Sequence, residues 1–131
     1  PPASKNIIFN ELSMDWDEPI VLVEGVFDAI IAGHNAIPIL GSTLREETKL
    51  FQMIALNDIP VYVALDSDAA VKKNNIIKKL FKYDIESYEI DTSDIEDIGS
   101  ITKGEFNHRK THATIISQED FFLIDQLKRV I

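Results

Sequence analysis

The segment "VYVALDSDAA" (residues 61–70) places two carboxylates directly after a run of apolar residues. The run from Val61 to Leu65 is typical of a strand that is buried in a parallel sheet. Asp66 and Asp68 follow it, separated by a single serine. Because like charges at this distance repel each other, we expect the fold to supply a partner that offsets the repulsion.

The composition describes one compact domain without cysteine chemistry. The chain has 131 residues, 45% of them hydrophobic, which is enough for a core. It contains no cysteine, which excludes disulfides and thiolate zinc sites, and its three histidines (His34, His108 and His112) are too scattered for a structural zinc site. No apolar run approaches the roughly 20 residues of a membrane span, so no membrane partner is expected.

The charge of the chain limits how it can bind nucleic acid. A net charge of −9 argues against a module with a broadly basic binding surface, but it is compatible with an enzyme whose acids are masked by cations. The first residues, PPASKN, lack both a methionine and signal-peptide character. We therefore expect a cytoplasmic protein of which this chain is a piece.

Apolar runs and amphipathic segments alternate along the chain. The predicted strands are 19–25, 36–40, 60–65 and 85–90, and the predicted helices between them are 26–33, 42–56 and 69–83. Pro38 indicates that the second strand lies at an edge or near a strand end. Four strands that alternate with helices predict a parallel sheet with helices on both faces.

Two of these helices carry more detailed expectations. Thr43 and Glu46 have the spacing of a capping box at the start of helix 42–56. Helix 69–83 is expected to turn its lysines outward and its apolar side chains inward. The inward set is Val71, Ile76, Ile77, Leu80 and Phe81.

The two ends of the chain are less regular. Residues 91–106 are predicted to be a loop with one or two helical turns, and 113–116 a short strand. Residues 117–131 are predicted to form a helix capped by Ser117. Residues 6–12 either add an edge strand or pack as a loop.

Acidic residues follow two of the predicted strands. Glu24 ends the first strand, and Asp66 and Asp68 follow the third. Ligands of such sheets bind at the carboxyl ends of the strands, and convergent carboxylates are ligands for Mg²⁺ or Mn²⁺. A carboxylate that closes a buried strand is costly without a partner, so Glu24 in particular indicates a bound cation.

Neighbouring residues have a functional and an ordinary interpretation. Gly25 permits close approach of a substrate, and the backbone of "GSTL" (41–44) either receives a phosphate or only caps a helix. Lys72 and Lys73 either contact nucleic acid or belong to a solvated helix face. Asp68 is also a common turn former or N-cap, and Asp28 also favours the start of a helix.

The segments "VLVEGVFDAI", "PILGSTL" and "VYVALDSDAA" together resemble the TOPRIM domain, most closely that of DnaG-type and bacteriophage DNA primases. That family carries an EGxxD motif, an LGT or LGS segment, a DxD motif and a further acid. The matching residues are Glu24, Gly25, Asp28, Leu40, Gly41, Ser42, Asp66 and Asp68. Asp97 is the best match for the further acid, with Asp94 as its rival. The chain departs from the family at Ala69–Ala70, where an Ala–Gly pair is usual.

The resemblance implies a fold and a division of the chain. The fold would be a Rossmann-like TOPRIM α/β fold, with a central, mostly parallel four-stranded sheet flanked by helices and a C-terminal helical extension. Residues 1–18 would be a lead-in segment, 19–106 the TOPRIM domain, and 107–131 the extension with its terminal helix.

The resemblance also implies an activity, namely synthesis of RNA primers on single-stranded DNA by Mg²⁺-dependent nucleotidyl transfer. Glu24, Asp66 and Asp68 would be catalytic and, with Asp97, would bind Mg²⁺ or Mn²⁺. The substrate-binding residues would be Gly25, Asp28, Gly41, Ser42, Lys72 and Lys73.

The partners implied are a single-stranded DNA template, ribonucleoside triphosphates and a replicative helicase, in a bacterial cytoplasm if the protein is viral. Because the residues that grip the template in primases lie largely in a separate subdomain, the chain alone is expected to make little or no primer. The alternatives are a TOPRIM metal-dependent nuclease and a non-catalytic TOPRIM binding domain in replication or repair.

Overall fold

A five-stranded mixed sheet forms the centre of the molecule. The computed structural model describes residues 8–41 and 43–130. The strands are β1 (Ile20–Val23), β2 (Ala36–Pro38), β3 (Val61–Ala64), β4 (Ser87–Glu89) and β5 (Thr114–Ile115). Their order is β2-β1-β3-β4-β5; the first four are parallel and β5 is antiparallel to β4. The expectation of a four-stranded sheet is therefore wrong by one strand, because the short segment at 114–115 pairs with the free edge of β4.

The order of the strands brings the predicted acids to one edge of the sheet. β1 and β3 are direct neighbours, with Val23 opposite Ala64. The chain therefore leaves both strands at the same level, so Glu24 and Asp66 emerge at the same edge. β2 is an edge strand, as Pro38 predicts.

Helices cover both faces of the sheet. They are α1 (Val26–Ala32), α2 (Lys49–Asn57), α3 (Ala70–Lys82), α4 (Lys103–Thr111) and α5 (Gln118–Val130). Short 3₁₀ helices lie at Glu11–Ser13, Ser67–Ala69 and Ile98–Ser100. None of the helices in the described part of the chain is long and apolar enough to cross a membrane.

Alternate residues of the central strands enter two separate apolar clusters. Ile20 and Leu22 pack in one cluster with buried side chains of α2 and α3, and Phe121 of α5 packs against it. Val21 and Val23 pack in the other cluster, with Phe106 of α4 and partly buried side chains of α1. This alternation is the two-residue period of a strand, and it confirms that helices cover both faces.

Helix α2 begins later than its sequence pattern predicts. Thr48 is its N-cap, and the hydroxyl of Thr48 accepts a hydrogen bond of 3.3 Å from the amide of Phe51. The capping box predicted for Thr43 and Glu46 is wrong because Leu44 has a left-handed backbone (φ 54°), which ends any helix that contains it. The phosphate site predicted at "GSTL" therefore lacks its helix start.

Other expectations are corrected in or near helices. Val71 is exposed, whereas the other four side chains of the inward set in α3 are buried. Residues 103–111 form the full helix α4, whereas the sequence predicts a loop with one or two helical turns over 91–106 and no element over 107–111. Phe106 is the only buried residue of α4, so the sequence has no apolar period to recognise. Described residues 8–13 contain a 3₁₀ turn and no strand, and residues 1–7 lie outside the description.

The predicted C-terminal strand and helix are confirmed. β5 lies within 113–116, and α5 follows it. The hydroxyl of Ser117 accepts a hydrogen bond of 3.3 Å from the amide of Asp120, as expected of a cap.

Candidate metal centre

An open cavity of about 400 Å³ lies at the carboxyl ends of β1 and β3. Four carboxylates line it: Glu24, Asp28, Asp66 and Asp97. The remaining lining residues are Gly25, Val26, Phe27 and Gly99. The cavity therefore collects acids from three separate segments of the chain.

Glu24 enters the cavity from the end of β1. The carbonyl of Glu24 accepts a hydrogen bond of 3.0 Å from the amide of Leu40, which fixes the backbone beside the chain that leaves β2. One carboxylate oxygen, Oε1, pairs with the ammonium of Lys72. The other, Oε2, is buried and has no hydrogen-bond partner among the described residues.

Asp66 enters the cavity from the end of β3. The hydroxyl of Thr92 holds this strand end by donating a hydrogen bond of 2.9 Å to the carbonyl of Leu65. Although Asp66 precedes the 3₁₀ helix Ser67–Ala69, its side chain makes no cap hydrogen bond. Its Oδ1 is buried and, within the described chain, has no hydrogen-bond partner.

The surroundings of Asp66 oppose its negative charge. Burial, followed by the charges of Asp28, Glu24, Asp68 and Asp97, raises the pKa of Asp66 to about 6. A carboxyl that is desolvated and surrounded by like charges binds a cation or a proton in order to relieve this repulsion.

Asp28 is a structural residue in this arrangement. Its carboxylate is 7% exposed and accepts two backbone hydrogen bonds, from the amide of Gly25 at 3.1 Å and from the amide of Gly99 at 2.7 Å. These bonds attach the start of α1 to the 3₁₀ helix Ile98–Ser100. The predicted contact of Asp28 with a substrate stays a prediction.

The structure distinguishes between the two rivals for the fourth acid. Asp97 lines the cavity. Asp94 instead forms a two-pronged ion pair with Arg109, at 2.7 and 3.1 Å, which holds the pKa of Asp94 below its usual range. Asp97 is therefore the acid that this segment brings to the site.

Asp68 lies beside the site without lining it. It is exposed in the 3₁₀ helix Ser67–Ala69, and its charge contributes to the raised pKa of Asp66. Its predicted role as a ligand would need this side chain to turn toward the cavity.

The remaining predicted residues fall into different places. Gly25 lines the cavity as the N-cap of α1, whereas Gly41 is exposed with φ 81° and does not line the cavity. Ser42 lies outside the described residues. Lys72 pairs with Glu24, and Lys73 pairs with Glu89 at the end of β4.

The donor atoms of the cavity fit a divalent cation whose coordination shell is completed by other ligands. Glu24 and Asp66 each present a buried oxygen without a partner in the described chain. Within residues 8–41 and 43–130, no three acidic or histidine side chains are already arranged as ligands of one ion. Mg²⁺ is commonly held by one or two carboxylates, with water and substrate phosphate completing its shell, so this donor set is sufficient.

Val26, Phe27 and Gly99 line the cavity but were not predicted from the sequence. Phe27 is 79% exposed and does not belong to the apolar core. The apolar periodicity of the sequence, which identifies core residues, therefore does not identify Phe27 as a residue of the cavity. Gly99 could have been noticed as the glycine two residues after Asp97. A Cβ atom at Gly99 would lie 3.2 Å from Asp28 Oδ1 and 3.4 Å from Asp97 Oδ1.

Comparisons with models of protein families, with curated proteins and with solved structures find no match for this chain. The residues of the cavity and the EGxxD and DxD motifs therefore carry the functional assignment of this chain.

Proposed function

We propose that this chain is the metal-binding catalytic part of a TOPRIM-type DNA primase, which transfers ribonucleotides onto a primer in a Mg²⁺- or Mn²⁺-dependent reaction. One observation carries the proposal: the neighbouring parallel strands β1 and β3 deliver Glu24 and Asp66 to a single cavity, and each presents a buried oxygen that no described group satisfies. The EGxxD and DxD motifs of the sequence supply these same two residues.

Each residue of the cavity has a separate part in the proposal. Glu24 and Asp66 would hold the cation between the two strand ends, and Asp97 would approach it from the loop after β4. Asp28 would keep that loop in place through the amides of Gly25 and Gly99. When bound, the divalent cation would stabilise negative charge on the transferred phosphoryl group.

Metal binding is the first test. We expect calorimetric titration with Mn²⁺ to detect one site in the wild type and no binding in Asp66→Asn. Asp94→Asn is the matched control, because it removes the same charge from a carboxylate that Arg109 neutralises outside the cavity. Binding to Asp66→Asn with wild-type affinity would place the metal elsewhere.

The second test distinguishes the reactions. We expect trace ribonucleotide incorporation on single-stranded DNA with Mg²⁺, which is absent in Glu24→Gln and Asp66→Asn. Metal-dependent cleavage of DNA or RNA without incorporation would reassign the site to a nuclease. Metal binding with neither reaction, even after addition of a primase template-binding subdomain, would favour the non-catalytic binding domain.

A further inference from the structure

Two adjacent lysines at the start of α3 each hold a glutamate at the end of a strand. Lys72 pairs with Glu24, and Lys73 pairs with Glu89. A lysine in the first turn of a helix lies near the positive end of the helix dipole, which is unfavourable by itself. Both ammonium groups are therefore held there by their carboxylate partners and not by the helix.

The two ion pairs differ in what surrounds the carboxylate. Glu24 shares its cavity with three further acids, whereas Glu89 does not line that cavity. Among the described residues, Lys72 is the only cation that forms an ion pair with any of the four cavity carboxylates. The side chains of Lys72 and Glu24 are only 21% and 25% exposed, so solvent screens this pair less than a fully exposed one.

We propose that Lys72 is an internal competitor for the divalent cation, which must displace the Lys72 ammonium from Glu24 before it can use both oxygens of that carboxylate. The inference rests on the proposed metal site. Competition with the cation for Glu24 is a different role from the nucleic-acid contact that the sequence suggests for Lys72.

Two consequences follow from this competition. In the absence of metal, Lys72 neutralises part of the repulsion among the cavity acids, so it stabilises the metal-free protein. When metal binds, the displaced ammonium remains at the edge of the same cavity, where it is free to pair with an anionic phosphate. Lys72 therefore weakens binding of the metal alone and favours binding of the metal together with a phosphate.

Mn²⁺ affinity of lysine variants tests the proposal. We expect Lys72→Met to bind Mn²⁺ about fivefold more tightly than the wild type, or more. Lys73→Met is the matched control, because it removes the same charge from the adjacent position and frees a carboxylate outside the cavity. The change that Lys73→Met causes in the logarithm of the Mn²⁺ affinity should be less than half of the change that Lys72→Met causes.

Lys72→Arg keeps the proposal testable if Lys72→Met folds poorly. Because arginine preserves the charge and binds carboxylates with two donors, this variant should bind Mn²⁺ no more tightly than the wild type. Equal tightening by Lys72→Met and Lys73→Met, or weaker binding by Lys72→Met, would overturn the competitor role and leave the metal site intact. Absence of Asp66-dependent Mn²⁺ binding in the wild type would instead overturn the proposed function itself.

Discussion

At the scale of single residues, Asp66 is the group whose ionisation most clearly lowers the stability of the folded state. Its pKa is raised to about 6 by burial and by four neighbouring acids, whereas an unfolded aspartate titrates near 4. The folded state therefore binds this proton more tightly than the unfolded state does. Through this group alone, stability rises as the pH falls from above 6 toward 4, and the cost is fully present at neutral pH.

Replacement of Asp66 by asparagine should therefore stabilise the metal-free protein. At pH 7.5 we expect the free energy of unfolding to rise by about 1 kcal/mol, a value reduced from the full electrostatic effect because water partly screens this carboxylate. At pH 4.5 the gain should be much smaller, because the wild-type side chain is then largely protonated. Urea denaturation of both proteins at the two pH values checks this, and a gain that is equal at both would contradict it.

The same pKa predicts how metal binding depends on pH. A proton on Asp66 competes with the cation for the same oxygens, so the apparent affinity for Mn²⁺ should be constant above pH 7 and should fall as the pH drops through about 6. Titrations between pH 5 and 8 measure this dependence. An affinity that begins to fall only below pH 4 would indicate that Asp66 is not a ligand.

At the scale of elements, the connection between α1 and the 3₁₀ helix Ile98–Ser100 fixes the far wall of the cavity. Its geometry leaves little room for a side chain at position 99, because an added Cβ would lie 3.2 Å from Asp28 Oδ1, closer than most Cβ contacts. One of the two carboxylates beside it, or the loop itself, must move when that atom is added.

Gly99→Ala should therefore reduce the free energy of unfolding by about 1 to 2 kcal/mol and weaken Mn²⁺ binding, since the added atom crowds the Asp28 carboxylate and the loop that carries Asp97. Gly104→Ala is the matched control. A Cβ at position 104 has Thr102 Oγ1 as its nearest contact, at an unstrained 3.9 Å, and lies in the first turns of α4. That variant should gain up to about 1 kcal/mol of stability without change in metal affinity. If Gly99→Ala is as stable as Gly104→Ala, the close approach is not important.

The elements that could be predicted from the sequence are those with a continuous apolar signal. The runs before Glu24 and Asp66 predict β1 and β3, and their pairing brings these two acids together as expected. Helix α4 has a single buried residue and gives no such signal. The sequence also does not predict the direction that the chain takes after Asp66. For this reason it places Asp68 in the cavity, whereas Asp68 lies beside it in the structure.

Asp97 and Gly99 illustrate a different limit. The sequence favours Asp97 over its rival Asp94 only by motif resemblance, and tertiary contacts separate the two: Arg109 of α4 pairs with Asp94, and Asp28 of α1 holds the loop that carries Asp97. Such contacts join residues that are distant in the chain, so local patterns cannot predict them.

At the scale of the whole molecule, the net charge of −9 makes general salt effects and specific metal binding easy to confuse. Any salt screens the repulsion among surface acids and raises stability slightly. A bound ion stabilises the folded state further, by an amount that depends on the ion's concentration relative to its dissociation constant.

We therefore expect 5 to 10 mM Mg²⁺ to raise the melting temperature by about 1 to 3 °C above that in NaCl of matched ionic strength. The increase should disappear in the Asp66→Asn, Asp68→Asn double variant, whereas both proteins should respond equally to NaCl. Differential scanning calorimetry measures these shifts. An undiminished Mg²⁺ effect in the double variant would mean that the ion binds elsewhere.

The hydrogen bond from Gly99 to Asp28 spans 71 residues of the chain and also has a consequence for the order of folding. All four parallel strands lie between Ile20 and Glu89, so the central sheet can pair before residue 99 takes its place. Closing the cavity requires a long loop to return to α1, and pairing of the sheet does not depend on that step. A nascent chain can thus complete its parallel sheet while its cavity is still open on one side.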